Sequence, residues 1–287
     1  RIRRDDGPDI LTFTEAGGLA RSGLNSAGIG LTANALECDR DYTRGPGVPL
    51  PFIRRKVLEA EHLALAVRTV FQTHRLGSNH MAISHAGGEA FGFECAPDET
   101  FWLSPERGLY VHANHWIADS ARAKVKDTGL AETPDSIYRD KRVREHLQPK
   151  IGKLTLDDFR QAFFDDYATP YSVCRPPRPN NRGAMVATSA MVLMRPGEGR
   201  LEACPMPALN RRFTTYMLTP DDIREEAEAY EDFNPMYSDV EFAKSTDIGF
   251  VVAPFYITLG EFLPPLLRHD MKMGVNTIYA SSIKESF

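Results

Sequence analysis

Two runs of alternating residues, each broken by a glycine turn, set the strongest limit on what this chain can fold into. Residues 80–84 and 89–95 alternate around Ala86-Gly87-Gly88. Residues 184–195 and 199–204 do the same around Pro196-Gly197-Glu198-Gly199. Alternation places every second side chain on one face of a strand, and a glycine turn joins two such strands antiparallel. Further strands are expected at 10–16, closed by Gly17-Gly18, at 28–36, and near 98–103 and 108–114. On either side of the first hairpin the period changes. Residues 52–74 carry Ile53, Val57, Leu63, Val67 and Val70 at near-helical spacing, and a second helix is expected over 135–147. A third begins at Thr155, where Asp157 and Asp158 in the first turn complement the helix dipole. Strands, then helices, then strands predict an α+β fold, with helices packed on stacked antiparallel sheets.

The texture changes near residue 217. Thr219-Pro220-Asp221-Asp222 is a helix start, with Thr as N-cap, Pro at the first position and acids behind it. The expected division is therefore 1–216 and 217–287. The first residue is Arg1 rather than Met, which we read as a fragment rather than a processed chain.

A net charge of −5 gives no electrostatic footprint for nucleic acid. No apolar run is long enough to cross a bilayer, and the charged start lacks the apolar core of a secretory signal. Cys38, Cys95, Cys174 and Cys204 show no metal-like or redox-like spacing. They predict reduced, buried thiols in a cytoplasmic protein. His112 and His115 lack the companions a zinc site needs. No metal or other cofactor is expected.

Several motifs occur in one order: Thr14-Glu15-Ala16-Gly17, Ser22-Gly23-Leu24-Asn25-Ser26-Ala27-Gly28-Ile29-Gly30, and Asn34-Ala35-Leu36. Glu89-Ala90-Phe91-Gly92-Phe93-Glu94, His112-Ala113-Asn114-His115, Pro134-Asp135-Ser136, Tyr171-Ser172-Val173-Cys174-Arg175 and Arg182-Gly183-Ala184 continue them. Across about residues 8–216 the chain resembles the acyl-coenzyme A:6-aminopenicillanic acid acyltransferase family of Ntn hydrolases. The resemblance implies a four-layer αββα sandwich and a precursor that cuts itself before a cysteine. That thiol attacks a thioester or amide carbonyl, with its own α-amino group as base. The substrate implied is an acyl-coenzyme A or a small, penicillin-like amide. The resemblance gives Asn34 and Asn114 the oxyanion-hole positions, where neutral amide donors suit a developing negative oxygen. Asn is disfavoured in a strand, so Asn34 wants a reason; a turn or bulge role would also supply one, as would an ordinary turn for Asn114. Arg139 and Arg142 follow the Asp135-Ser136 motif and face either the substrate pocket or solvent. The family's nucleophile would lie upstream of Thr14, so the N-terminally truncated chain is expected to be inactive alone. The alternative is a non-catalytic acyl-coenzyme A-binding or assembly module.

Residues 219–287 resemble the start of a MaoC-type hot-dog domain. The likeness lies in Tyr230-Glu231-Asp232-Phe233-Asn234-Pro235-Met236-Tyr237, Phe242-Ala243-Lys244, Val252-Ala253-Pro254-Phe255 and Asn276-Thr277-Ile278-Tyr279-Ala280. Tyr237 stands where the catalytic motif has His, and a phenol with a pKa near 10 is a poor base at neutral pH. The resemblance implies a partial, non-catalytic α+β unit through which copies of the chain could pair.

Overall fold

A computed structural model describes residues 1–180, 184–218 and 279–282. The helix expected from Thr219, and most of the second resemblance, lie outside the described residues.

The N-terminal half builds one antiparallel sheet, ordered β1 (Ile10–Phe13), β2 (Ser22–Asn25), β3 (Ile29–Ala35), β4 (Asn79–His85), β5 (Ala90–Cys95) and β6 (Thr100–Leu103). The expected hairpin around Ala86-Gly87-Gly88 is the β4–β5 pair, with Ile83 opposite Phe91 and Met81 opposite Phe93. β2 falls in a stretch for which the sequence reading gave no strand. Its backbone pairs with both β1 and β3, and Gly23 explains why propensity misses it. A Cβ there would stand 2.6 Å from the Leu11 carbonyl oxygen, so the position needs closeness rather than a strand-forming side chain.

The expected single helix over 52–74 is two: α1 (Leu50–Leu58) and α2 (Leu63–Gln72). Asn25 supplies the physical reason. Its amide Nδ2 donates to the Leu58 carbonyl at 2.9 Å and the Ala60 carbonyl at 2.8 Å, while Oδ1 accepts from Ile29 N–H at 2.9 Å. One side chain thus takes carbonyls a continuing helix would use and also fixes the β2–β3 turn. Ile53, Val57, Leu58, Ala66 and Val70 then pack on Ile29, Leu31, Met81, Ile83 and Phe93 of the sheet.

The second half mirrors this arrangement. β7 (Leu109–His112) leads through the short α3 (Asp119–Arg122) to α4 (Ser136–Leu147) and α5 (Leu156–Phe163). After a two-residue pair, β8 (Arg178–Pro179) and β9 (Met185–Val186), come β10 (Ala190–Arg195), β11 (Arg200–Pro205) and β12 (Thr214–Met217) in one antiparallel sheet. Val143, Leu147, Phe159 and Phe163 cover Leu109, Val111, Met191 and Leu193. β13 (Tyr279–Ser282) pairs antiparallel with β7, Tyr279 opposite His112.

The two sheets meet through Leu11 and Leu24 on one side and Leu201 and Ala203 on the other. The result is helices, sheet, sheet, helices. The apolar contact fills one region between the sheets; elsewhere the facing residues are polar.

Candidate active site

On β3 the alternation sends Leu31 and Ala33 to the helix-side core and Thr32 and Asn34 toward the second sheet. On β5 it sends Phe93 to the helices and Gly92 and Glu94 inward. Gly92 is required here: an added Cβ would overlap Tyr110 of β7, whose hydroxyl would lie 2.1 Å away. β7 therefore rides close over β4 and β5 and brings a polar cluster together.

Glu94 organises that cluster. Its Oε1 accepts from Ile117 N–H at 2.6 Å and its Oε2 from Ala118 N–H at 3.1 Å. Oε1 also meets His112 Nε2 at 2.8 Å. His112 Nδ1 faces the Ala113 carbonyl at 2.8 Å, and since a carbonyl only accepts, that nitrogen donates. His80, directly across from Asn34 in the β3–β4 register, stacks on His112 with ring centroids 3.7 Å apart. His80 Nε2 lies 2.9 Å from the Tyr110 hydroxyl. Burial, and next the nearby His112, push the His80 pKa well below its ordinary value.

Asn34 and Asn114, the two expected oxyanion donors, are brought to one place and tie β3 to the end of β7. Asn34 Nδ2 donates to the carbonyls of His112 at 2.8 Å and Ala113 at 2.6 Å. Asn114 Nδ2 donates back to the carbonyl of Ala35 at 3.1 Å. Both amide hydrogens of Asn34 are engaged, and its buried Oδ1 has no hydrogen-bond partner among the described residues.

Arg139 lies in the same neighbourhood. It is fully buried, donates from Nε to Asp135 at 2.7 Å and reaches Asn114 Oδ1 at 3.1 Å. Burial lowers its pKa, opposed chiefly by Asp135. Arg175 joins the same carboxylate; burial, then the charge of Arg139, pull its pKa down to about 10. Arg142 is set apart, half-exposed and paired with Asp165, whose hydrogen bond, more than its charge, raises its pKa. Ser136 Oγ accepts from Asn114 N–H at 2.7 Å and lies 2.8 Å from His115 Nδ1. A serine on a histidine is a nucleophile arrangement in hydrolases, but Ser136 is fully buried and its oxygen is already claimed by a backbone donor.

None of the four cysteines resembles an activated nucleophile. All are buried and free. Burial raises the pKa of Cys38, Cys95 and Cys204, and raises that of Cys174 to about 11. A thiolate nucleophile needs the opposite environment. Among the described residues no group of three His, Cys, Asp or Glu side chains is placed to hold a metal ion, and no helix is long and apolar enough to cross a membrane.

His80, Glu94, Tyr110, Asp135 and Arg175 were not singled out by the sequence as site residues. Glu94, Asp135 and Arg175 stood inside quoted motifs, which was their available signal. Tyr110 and His80 carried none beyond lying in strands.

Together these features define an α+β sandwich with a buried polar layer between its sheets. It is shared with a mutant of the conjugated bile acid hydrolase from Clostridium perfringens: TM-score 0.50 at 12% identity, covering 74% of this chain and 77% of that one. The penicillin V acylase from Agrobacterium tumefaciens is a further structural neighbour, with TM-score 0.45, 12% identity, and 76% and 75% coverage. The chain belongs to the acyl-coenzyme A:6-aminopenicillanic acid acyl-transferase family, whose model matches residues 13–204. The 40 kDa form of that acyltransferase from Emericella nidulans is 27% identical over 169 residues, 58% of this chain. The chain spans 45% of the length of that relative.

Proposed function

We propose that this chain forms the acyl-group-handling core of an acyltransferase or amide hydrolase, acting on an acyl-coenzyme A or a small penicillin-like amide through an Ntn cysteine. The observation that carries this is the reciprocal tie between Asn34 and Asn114 at the polar end of the sandwich, within the family-matched residues. A tetrahedral intermediate needs neutral donors fixed before charge develops. Asn114 suits that task. Arg139 draws its Oδ1 to one side while Nδ2 donates to the Ala35 carbonyl, which together fix the amide plane and polarise its N–H groups. Asn34 is better suited to hold the 112–114 stretch, because both its hydrogens are engaged there. Arg139 thus acts as a positioning residue, and Arg142 has its own carboxylate partner.

The attacking thiol is not one of these four cysteines, whose burial favours the protonated form. These four cysteines alone are therefore expected to support no acyl transfer. Residues 217–287 add a partial hot-dog unit through which copies associate, on the strength of its sequence motifs. The buried reduced thiols suit a cytoplasmic setting.

The test measures coenzyme A release from an acyl-coenzyme A, with and without 6-aminopenicillanic acid as acceptor, and hydrolysis of a penicillin side chain. The chain as given is expected to be silent. The longest polypeptide its gene encodes is expected to turn over, and Asn114→Ala should lower kcat by about 10²–10³. Turnover by the chain as given, or an Asn114→Ala variant of the longer polypeptide that is fully active, would overturn the assignment.

A further inference from the structure

Glu94 and His112 are both fully buried, and a count of hydrogens bears on the charge they carry. His112 Nδ1 faces the Ala113 carbonyl at 2.8 Å, and Nε2 faces Glu94 Oε1 at 2.8 Å. A carbonyl oxygen brings no hydrogen, so Nδ1 carries one. A second hydrogen must lie between Nε2 and Oε1, because two lone pairs at that distance would repel. It belongs either to the ring or to the carboxyl group. Backbone donors favour the ring. Ile117 N–H donates to Oε1 at 2.6 Å and Ala118 N–H to Oε2 at 3.1 Å. Hydrogen bonds of this kind stabilise the carboxylate over the acid. The ring then keeps both hydrogens, as an imidazolium, and the buried pair is neutral as a whole.

His80 fits that arrangement. Its ring lies 3° from parallel to the His112 ring, with centroids 3.7 Å apart. Two imidazolium charges stacked so closely would repel, so a charged His112 requires a neutral His80. Burial, and next the charge of His112, push the His80 pKa in that direction.

The pair is placed to act on Asn114. The peptide unit joining Ala113 to Asn114 is held at both ends. Its carbonyl oxygen accepts from Asn34 Nδ2 at 2.6 Å and from His112 Nδ1 at 2.8 Å. Its N–H donates to Ser136 Oγ at 2.7 Å. Glu94 also ties His112, which precedes Asn114, to Ile117 and Ala118, which follow it. One carboxylate thus closes the 112–118 stretch on itself, with Asn114 between its ends.

We propose that Glu94 and His112 form a buried carboxylate–imidazolium pair that positions Asn114. The inference deepens the acyl-transfer reading and rests on it for the reaction Asn114 serves. Both residues act through the Asn114 backbone, as positioning residues. A charged donor holds the Ala113 carbonyl more firmly than a neutral one. That fixes the peptide plane from which the Asn114 side chain departs.

The experiment is nitrogen NMR of isotope-labelled histidine rings in the full chain at neutral pH. His112→Gln identifies the His112 signals, by their loss, among those of the eight histidines. Both His112 ring nitrogens are expected to bear hydrogens, with the shifts of an imidazolium. In Glu94→Gln the ring should become neutral. The Asn114 backbone amide should then exchange with deuterium about tenfold faster or more, the loss expected for one charged hydrogen bond. In the longer polypeptide, Glu94→Gln and His112→Gln should each lower kcat about 10–100-fold, the scale of an outer-shell partner, with KM changed far less. A neutral His112 ring in the wild-type chain overturns the proposal. So does a folded Glu94→Gln that keeps the ring charged or leaves Asn114 exchange unchanged. If Glu94→Gln fails to fold by circular dichroism, the wild-type ring signals and Asn114 exchange in His112→Gln decide. The failures are separable. A charged ring and faster exchange, with no coenzyme A release from the longer polypeptide, refute the acyl-transfer reading alone. Release with kcat unchanged in both variants refutes the positioning role alone.

Discussion

His80 is a histidine that folding keeps neutral, and this makes the polar layer sensitive to acid. It is fully buried, and burial and then His112 hold its pKa well below the ordinary value. His115 is shifted the same way, by burial first, though neighbouring carboxylates oppose it. For a group whose folded pKa is depressed, the unfolded chain takes up the proton first. The stabilising contribution is therefore complete above about 6.5 and declines as pH falls below that toward the folded value. Each such histidine can contribute a slope of up to about 1.4 kcal/mol per pH unit. We expect wild-type stability from urea unfolding to fall between pH 7 and pH 5, and His80→Gln to flatten that fall. Parallel pH profiles for the two proteins would contradict a neutral His80. At this scale the sequence was only partly legible. Asn34 and Asn114 were picked out by the family resemblance, and Asn34 also because Asn in a strand wants a cause. Their partners could not be: the Asn34 amide reaches carbonyls 78 and 79 residues away, and nothing local in a sequence encodes that.

Elements were readable where local chemistry decides them and not where a distant side chain does. The helix begun at Thr155 is the first kind. Thr155 Oγ1 accepts from Asp158 N–H at 3.3 Å and Asp158 Oδ2 accepts from Thr155 N–H at 2.8 Å, a reciprocal cap. α1 is the second kind, because its end is set by Asn25 from another strand. The cap also carries a testable pH dependence. Lys150 first, then Thr155, hold the Asp158 carboxyl at about 2. A depressed carboxyl stabilises the folded state above its unfolded value near 3.9, and that contribution is lost as pH falls through about 2. Thr155→Ala should lower unfolding free energy at pH 7 by about 1 kcal/mol, the usual worth of an N-cap. Asp158→Asn should remove part of the decline between pH 4 and 2. An unchanged midpoint for Thr155→Ala in thermal unfolding would show that the cap does not hold α5 in place.

Across the whole molecule, stacked antiparallel sheets under helices followed from the order of periodic segments, because each layer buries an apolar face that alternation or helical spacing reveals. What stayed hidden was the polar half of the sheet interface, where Gly92 and Tyr110 interlock. The sequence division puts residues after 216 in a unit of their own, and of that stretch the described strand Tyr279–Ser282 pairs with β7. The two arrangements predict different behaviour on truncation. A separate unit leaves the first melting as before when it is removed. A strand hydrogen-bonded to β7 uncovers that edge when it is removed. Each backbone hydrogen bond contributes a net ~1 kcal/mol, so losing the few that join the strand to β7 sets a scale of about 2 kcal/mol. In a domain of this size that lowers the melting midpoint by roughly 5 °C. The exposed edge would also offer unpaired donors and acceptors to another chain. We therefore expect residues 1–218, compared with the full chain, to melt earlier by scanning calorimetry and to associate as concentration rises in sedimentation. Equal midpoints, with a monomeric 1–218, would show that β7 does not depend on the strand beside it.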